Sequence, residues 1–225
     1  MLSVAQLTGR DQSHVQEIDD VGLHPECWAA LQQLQHEAAQ SGIDLQVASG
    51  FRSFDRQLLI WNGKARGERP VYDDVGRLVD MQALSEWQQV QAILRFSALP
   101  GASRHHWGTD LDVYDAAAMP GGYQLQLSPG EYADSGVFGA LHNWLQQRID
   151  GAESFGFWRP YLQDRGGVAV ERWHLSYAPL AEQCAAALDL EQLRDCLVRC
   201  DMALAEVVME KLEQIYQSYV VPPAA

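Results

Sequence analysis

The chain has 225 residues and a mass of 25.1 kDa, enough for one domain of the usual ~100–200 residues plus an appendage. Its 47% hydrophobic and 20% charged residues are globular values, which exclude a disordered or fibrous chain. With 16 basic against 30 acidic residues the net charge is −14, and no basic stripe is present to meet a phosphate backbone, so nucleic acid and anionic membrane are not expected partners.

Residues 1–24 read as an irregular lead-in. They have no basic start, and their apolar stretch ends at Arg10 and Asp11, unlike a secretory leader. No run approaches the ~18–20 apolar residues of a membrane span. The expectation is a cytoplasmic protein whose four cysteines, Cys27, Cys184, Cys196 and Cys200, are reduced. A helix is predicted from Pro25 to Gln40, with Pro25 suiting its first turn and Ser41-Gly42 its stop. An alternating strand follows over 44–49, then a second helix over 54–64. Residues 65–85, rich in Gly, Pro and Asp, read as a long surface excursion of the kind that often carries function. A helix over 86–97 comes next. Residues 119–136 suggest turns and a short hairpin, 137–149 a helix, and 155–178 a strand, a turn and a strand. From Leu180 the texture changes to Ala, Leu, Glu and Gln with 8 acidic and 3 basic residues. Two helices are predicted there, near 189–200 and 202–219, with Asp189 and Asp201 as N-caps. This tail can cap the core or pair with a second copy. Strands that do not alternate regularly with helices point to an α+β fold: a small, mostly antiparallel sheet flanked by helices, with a C-terminal helical tail.

Three stretches carry chemistry. Ser103 to Tyr114 concentrates His105, His106, Asp110 and Asp112 around Gly108; neutral imidazole and carboxylate are good zinc ligands. His105 and Asp112 are seven apart, which in an unbroken strand would place them on opposite faces, but a break at Gly108 lets them converge. In Glu171-Arg172-Trp173-His174 the histidine can bind a metal while Glu171, three residues earlier, stays off it and takes a proton from the attacking water. Trp173 and Leu175 would anchor that segment as a buried strand. In Ser49-Gly50-Phe51-Arg52-Ser53, Arg52 sits at a strand-to-helix turn and presents a planar fork that matches a carboxylate. Together these supply three ligands, a base, and a cation for the substrate and its developing oxyanion, the parts of a zinc peptidase.

In order and spacing the three stretches resemble the motifs of the VanY-type zinc D-alanyl-D-alanine carboxypeptidases. That family belongs to a wider group with lysostaphin-type peptidases and the Hedgehog signalling domain. The family patterns are Ser-Gly-Tyr-Arg-Ser, Ser-x-His-x-x-Gly-x-x-x-Asp and Glu-x-Trp-His; here they read Ser49–Ser53, Ser103–Asp112 and Glu171–His174. The resemblance spans roughly residues 25–178. It implies that His105, Asp112 and His174 bind one zinc ion, that Glu171 is the general base, and that Arg52 stabilises substrate or oxyanion. It also implies that Gln57 and Ser103 help hold the terminal carboxylate of the peptide. Phe51 stands where Tyr is frequent. Asp110 stands where a small residue is frequent and is a candidate for orienting a ligand histidine. His106 rivals His105, and spacing favours His105.

The implied organisation is a lead-in (1–24), a zinc carboxypeptidase domain (25–179) and a helical extension packed on it (180–225). The implied activity is removal of a C-terminal D-alanine from a peptidoglycan stem peptide. A cytoplasmic D,D-enzyme would damage cell-wall precursors, so the expected activity is L,D-carboxypeptidase action on muropeptide tetrapeptides during wall recycling. D,D-carboxypeptidase or dipeptidase action on D-Ala-D-Ala termini is the alternative. A non-catalytic binding module is the remote one, since it would not need both Glu171 and Arg52. The expected partner is a peptidoglycan-derived peptide, with a homodimer through the C-terminal helices as a further option.

Overall fold

In the computed structural model, which describes residues 1–221, the lead-in is ordered. A short helix α1 (Val4–Leu7) is closed by a capping box between Ser3 and Gln6. A hairpin of β1 (Gln16–Ile18) and β2 (Val21–Leu23) follows. Its two-residue turn, Asp19-Asp20, has φ of 50° and 64°. Such turns need positive φ at both centres, and Asp tolerates it better than most residues. Leu7 and Leu23 are buried, so this segment belongs to the folded body.

Helix α2 (Pro25–Gln40) has the predicted bounds. The His24 side chain caps it by accepting from the Glu26 amide, and Pro25 fills the first turn. Its buried Cys27, Leu31, Leu34 and Ala38 recur at helical spacing and face the sheet. Strand β3 (Leu45–Ser49) leads into α3 (Phe54–Ala65), which Ser53 caps. The excursion after α3 is a loop with a single bridge between Tyr72 and Leu78. Helix α4 (Glu86–Leu94) ends three residues before its expected bound. After β4 (Asp110–Asp115), residues 119–136 form turns and no strand, contrary to the expected hairpin. Glu131 explains this. Its carboxylate accepts from the Tyr123 hydroxyl, the Gln126 amide, and both the amide and hydroxyl of Ser128, so a side chain gathers the segment in place of a ladder. Helix α5 (Gly139–Asp150) and strands β5 (Phe157–Trp158) and β6 (His174–Tyr177) follow.

The main sheet is antiparallel, ordered β3-β4-β6-β5. Its core packs Leu45, Leu111, Val113 and Leu175 against Leu31, Leu34, Phe138 and Leu141, giving the mixed architecture expected.

The tail is more broken than its composition suggests. It comprises α6 (Ala178–Ala187), which was not expected, then α7 (Leu190–Leu197), α8 (Ala205–Glu210), α9 (Leu212–Ile215) and a wide turn over Tyr216–Val220. Asp189 caps α7 as predicted. Asp201 caps nothing: its carbonyl accepts from the Asn62 amide at 2.9 Å, and α8 starts only after Leu204, in a left-handed conformation. The tail's apolar residues Leu193, Val208, Leu212 and Ile215 form a second core with Trp61, Val90 and Ile93 of α3 and α4. The Trp61 indole also donates to the Ala203 carbonyl at 2.9 Å. The tail's apolar face is thus used within the chain.

Trp61 is fully buried at this junction. Trp61→Ala is expected to cost about 3–5 kcal/mol of stability, measured by denaturant unfolding; a loss below about 1 kcal/mol would show that the tail does not depend on this contact.

Candidate active site

Strand pairing assembles the site. In the register of β4 with β6, Asp112 lies directly opposite His174, and the two-residue period of a strand puts Asp110 on the same face as Asp112. His105 comes from outside the strand, on a short helical turn over Arg104–Trp107. Gly108 ends that turn with φ of 67°, and a Cβ there would stand 2.9 Å from the His24 amide nitrogen. The chain therefore breaks where the seven-residue spacing required it to. His105 Nε2 lies 3.4 Å from one Asp112 oxygen, and His174 Nδ1 lies 3.1 Å from the other. One donor atom from each of the three residues falls within a 4.8 Å cluster.

The far side of each imidazole is held by the protein. His105 Nδ1 bonds the Gly50 carbonyl at 2.9 Å, which leaves Nε2 facing Asp112. His174 Nε2 bonds Asp110 at 3.0 Å, which leaves Nδ1 facing Asp112. Asp110 is anchored in turn by Arg104 and Thr109, each at 2.7 Å. Carboxylates and carbonyls behind ligand histidines fix the tautomer and the ring plane, so two oriented imidazoles and a carboxylate fit a zinc ion by chemistry and by orientation. Asp110 thus stands behind His174, as its place in the motif suggested. His106 is turned away. It accepts from the Gly101 amide through Nε2 (3.1 Å) and bonds the Arg52 carbonyl through Nδ1 (2.5 Å). Both nitrogens are used on the backbone beside Arg52.

Burial sets the charges. It pushes His105 down to about 4, keeping that imidazole neutral. Burial acts the same way on His174, but its hydrogen bonds to Asp110 and Asp112 outweigh it and lift the group to about 9. Desolvation also works against Asp110, yet Arg104 and His174 hold its carboxyl below the usual range. Glu171 lies outside the cluster, 3.8 Å from His174 Nδ1. Its burial lifts it to about 8 against the pull of the neighbouring cations.

Arg52 donates through Nη1 to Gln57 Oε1 (2.9 Å) and through Nη2 to Ser49 Oγ (3.1 Å). Gln57 is fully buried, and its amide nitrogen donates to the Ala98 carbonyl at 2.6 Å. Both ends of Gln57 are therefore used inside the protein, and it stands behind Arg52. Ser103 is buried. Arg52, Ser103, His105, Asp112, Glu171 and His174 all line one cleft of about 790 Å³, walled on its outer sides by residues 71–76 and 126–130. Those walls come from the two loop-rich stretches read from composition. Among the lining residues that sequence reasoning missed are Tyr161 and Lys64. The Tyr161 ring packs against that of His174, their centres 4.9 Å apart and their planes tilted by 58°. Lys64 lies one helical face-repeat beyond Gln57 on α3. The i, i+7 spacing from Gln57 was the available signal for Lys64; nothing local marked Tyr161.

A buried His-Asp-His cluster, an adjacent carboxylic acid off the cluster and a buried guanidinium in one cleft define a metal-dependent peptide hydrolase. The model of one protein family, "D-alanyl-D-alanine carboxypeptidase" (VanY), matches residues 20–180. The chain belongs to that family and is an enzyme of its class, a zinc metallo-carboxypeptidase. Among curated proteins, an uncharacterized protein of Haemophilus influenzae is 45% identical over 103 residues, covering 44% of this chain and 70% of the relative. The putative carboxypeptidase YodJ of Bacillus subtilis is 27% identical over 153 residues, covering 66% of this chain and 43% of that protein. Among solved structures, VanYB in complex with D-alanine-D-alanine superposes with a TM-score of 0.53 at 21% identity, covering 82% of this chain and 88% of that one. The vancomycin-resistance D,D-pentapeptidase VanY in complex with Zn(II) gives 0.51 at 22%, covering 80% and 88%. At these identities the likeness is one of fold.

Two measurements check the metal centre. The metal-free His174, lifted to about 9, carries its proton at neutral pH and must release it to bind a metal. Zinc affinity is therefore expected to rise about tenfold per pH unit between roughly pH 6 and 9, with proton release seen by calorimetry in buffers of different ionisation heat. A flat profile would contradict the assignment of His174. Asp110→Asn is expected to weaken zinc roughly 10- to 100-fold, read with a competing chelator.

Proposed function

We propose that the enzyme removes the C-terminal D-alanine from peptidoglycan stem peptides, with His105, Asp112 and His174 holding one zinc ion. The observation that carries this reading is the placement of Glu171 and Arg52 in one cleft with the ligand cluster. Bound there, zinc supplies Lewis acidity to a carbonyl and lowers the pKa of water.

The chain's own groups do the rest. Arg52, its fork fixed by Gln57 and Ser49, takes the terminal carboxylate and sets the reading frame for a carboxypeptidase. Ser103 contributes a hydroxyl at the same end. Glu171 is buried beside the cluster and off the ligand set, the position of a group that relays a proton. It takes a proton from the attacking water onto a carboxylate oxygen and then gives it to the leaving amine. Tyr161, packed on His174, helps exclude bulk water from the cluster.

For the bond cut, we propose L,D-cleavage of muropeptide tetrapeptides in cytoplasmic recycling, where a D,D-activity would destroy precursors before use. D,D-cleavage is the second reading; the family description and the D-alanine-D-alanine bound by VanYB favour it. A homodimer through the tail gains no support from an apolar face already used internally.

Mass spectrometry of tetrapeptide and pentapeptide muropeptides incubated with zinc-loaded protein separates the two. Loss of one alanine from the tetrapeptide alone is expected, and loss from the pentapeptide alone would establish the D,D bond. Glu171→Ala should lower kcat by about 10²–10⁴-fold while zinc binding persists; full activity in that variant would remove Glu171 from the mechanism.

A further inference from the structure

The chain contains only two lysines, Lys64 and Lys211, among its 16 basic residues. Lys211 pairs with Glu210 at 2.8 Å. Lys64 is partly buried on the last turn of α3 and lines the catalytic cleft together with Ile60 of the same helix face. Its ammonium donates to Ser97 Oγ at 2.7 Å, which uses one of its three protons. No carboxylate stands within 4.0 Å of it among the described residues, whereas the buried Arg104 has Asp110 and the partly buried Arg95 has Asp74 and Asp164. The acid acting on it most strongly is Glu171, which the proton transfer already occupies.

A cation withdrawn from water without a partner is costly, and the cost is recovered when an anion arrives. Arg52 and Lys64 are held separately in the cleft: Gln57, which holds Arg52, is tied to the Ala98 carbonyl, and the Lys64 ammonium to Ser97 Oγ. In a chain of net charge −14, a substrate with two carboxylates is repelled at long range and needs two local cations.

We propose that Lys64 binds a second substrate carboxylate, carried on the side chain of the residue that precedes the terminal D-amino acid, so that the site selects stem peptides whose penultimate residue is a diamino dicarboxylic acid over those with a neutral or cationic side chain. This rests on the L,D-carboxypeptidase reading above, and it concerns specificity within that site.

The test uses two peptides ending in diaminopimelyl-D-alanine that differ only in whether the side-chain carboxyl is free or is a carboxamide. They are given to zinc-loaded wild type, Lys64→Met and Lys64→Arg. For wild type, KM for the free-carboxyl peptide is expected to be about tenfold lower than for the amide, the factor of one charge-assisted hydrogen bond, with kcat similar. Lys64→Met should abolish that preference by raising KM for the free-carboxyl peptide alone, and Lys64→Arg should keep part of it. Equal KM values in wild type, or an equal loss on both peptides in Lys64→Met, would overturn the proposal.

If wild type cleaves neither peptide, the L,D-carboxypeptidase reading fails, and binding decides the role of Lys64 separately. Protein labelled with ¹³C-lysine has two side-chain signals, and loss of one in Lys64→Met assigns it. A shift of that signal with the free-carboxyl peptide but not with the amide upholds the second-carboxylate site; no shift with either peptide rejects it.

Discussion

The antiparallel register of β4 against β6 is the constraint on which the site depends. It puts Asp112 across from His174, and the alternation of a strand then brings Asp110 to the same face. One slip in that pairing would turn every one of these side chains to the opposite side of the sheet. The register is held because the other face is buried: Leu111, Val113 and Leu175 sit in the main core and leave no exchange of faces open. Site geometry and core packing are therefore the same choice, made once.

Charge is arranged around that pairing as a chain. Arg104 holds Asp110, Asp110 holds His174, and His174 faces Asp112. Arg104 also donates to Ser176 at 2.6 Å on the neighbouring strand. Each charge in this chain of contacts has a partner, and removing one would leave the next uncompensated at a cost of several kcal/mol. The residue that breaks this economy is Glu171, whose burial holds its proton more tightly than a surface acid would. That is a cost to the fold and a use to the chemistry.

The helix α3 links the catalytic cleft to the tail. One face presents Ile60 and Lys64 to the cleft, and the other buries Trp61 against the tail core. Asn62 fastens the two, donating to the Asp201 carbonyl and accepting from the Ala203 amide. The acidic tail thus braces the helix whose start lies beside Arg52.

Much of this was legible in the sequence, because local chemistry determined it. Pro25 with Ser41-Gly42 marked the ends of α2, alternating residues marked β3, and the motifs holding His105, Asp112, Glu171 and His174 marked residues that the fold brings into one cleft. Those signals depend on a few neighbouring residues each. Composition also separated the tail from the rest. Tertiary structure alone decided what depends on distant partners. The lead-in became a hairpin because two aspartates accept positive φ and Leu23 found a core. The expected hairpin near 125 yielded to Glu131, whose hydrogen bonds no periodicity reveals. Asp201 caps no helix: its carbonyl is tied to Asn62, far away in sequence, and α8 begins only after Leu204. His106 was removed from the metal centre, and Gln57 turned from the peptide toward Arg52, by backbone groups that only the fold brings near. Lys64 and Tyr161 entered the cleft for the same reason: where a side chain meets its partners from other elements is a property of packing, and no local pattern records it.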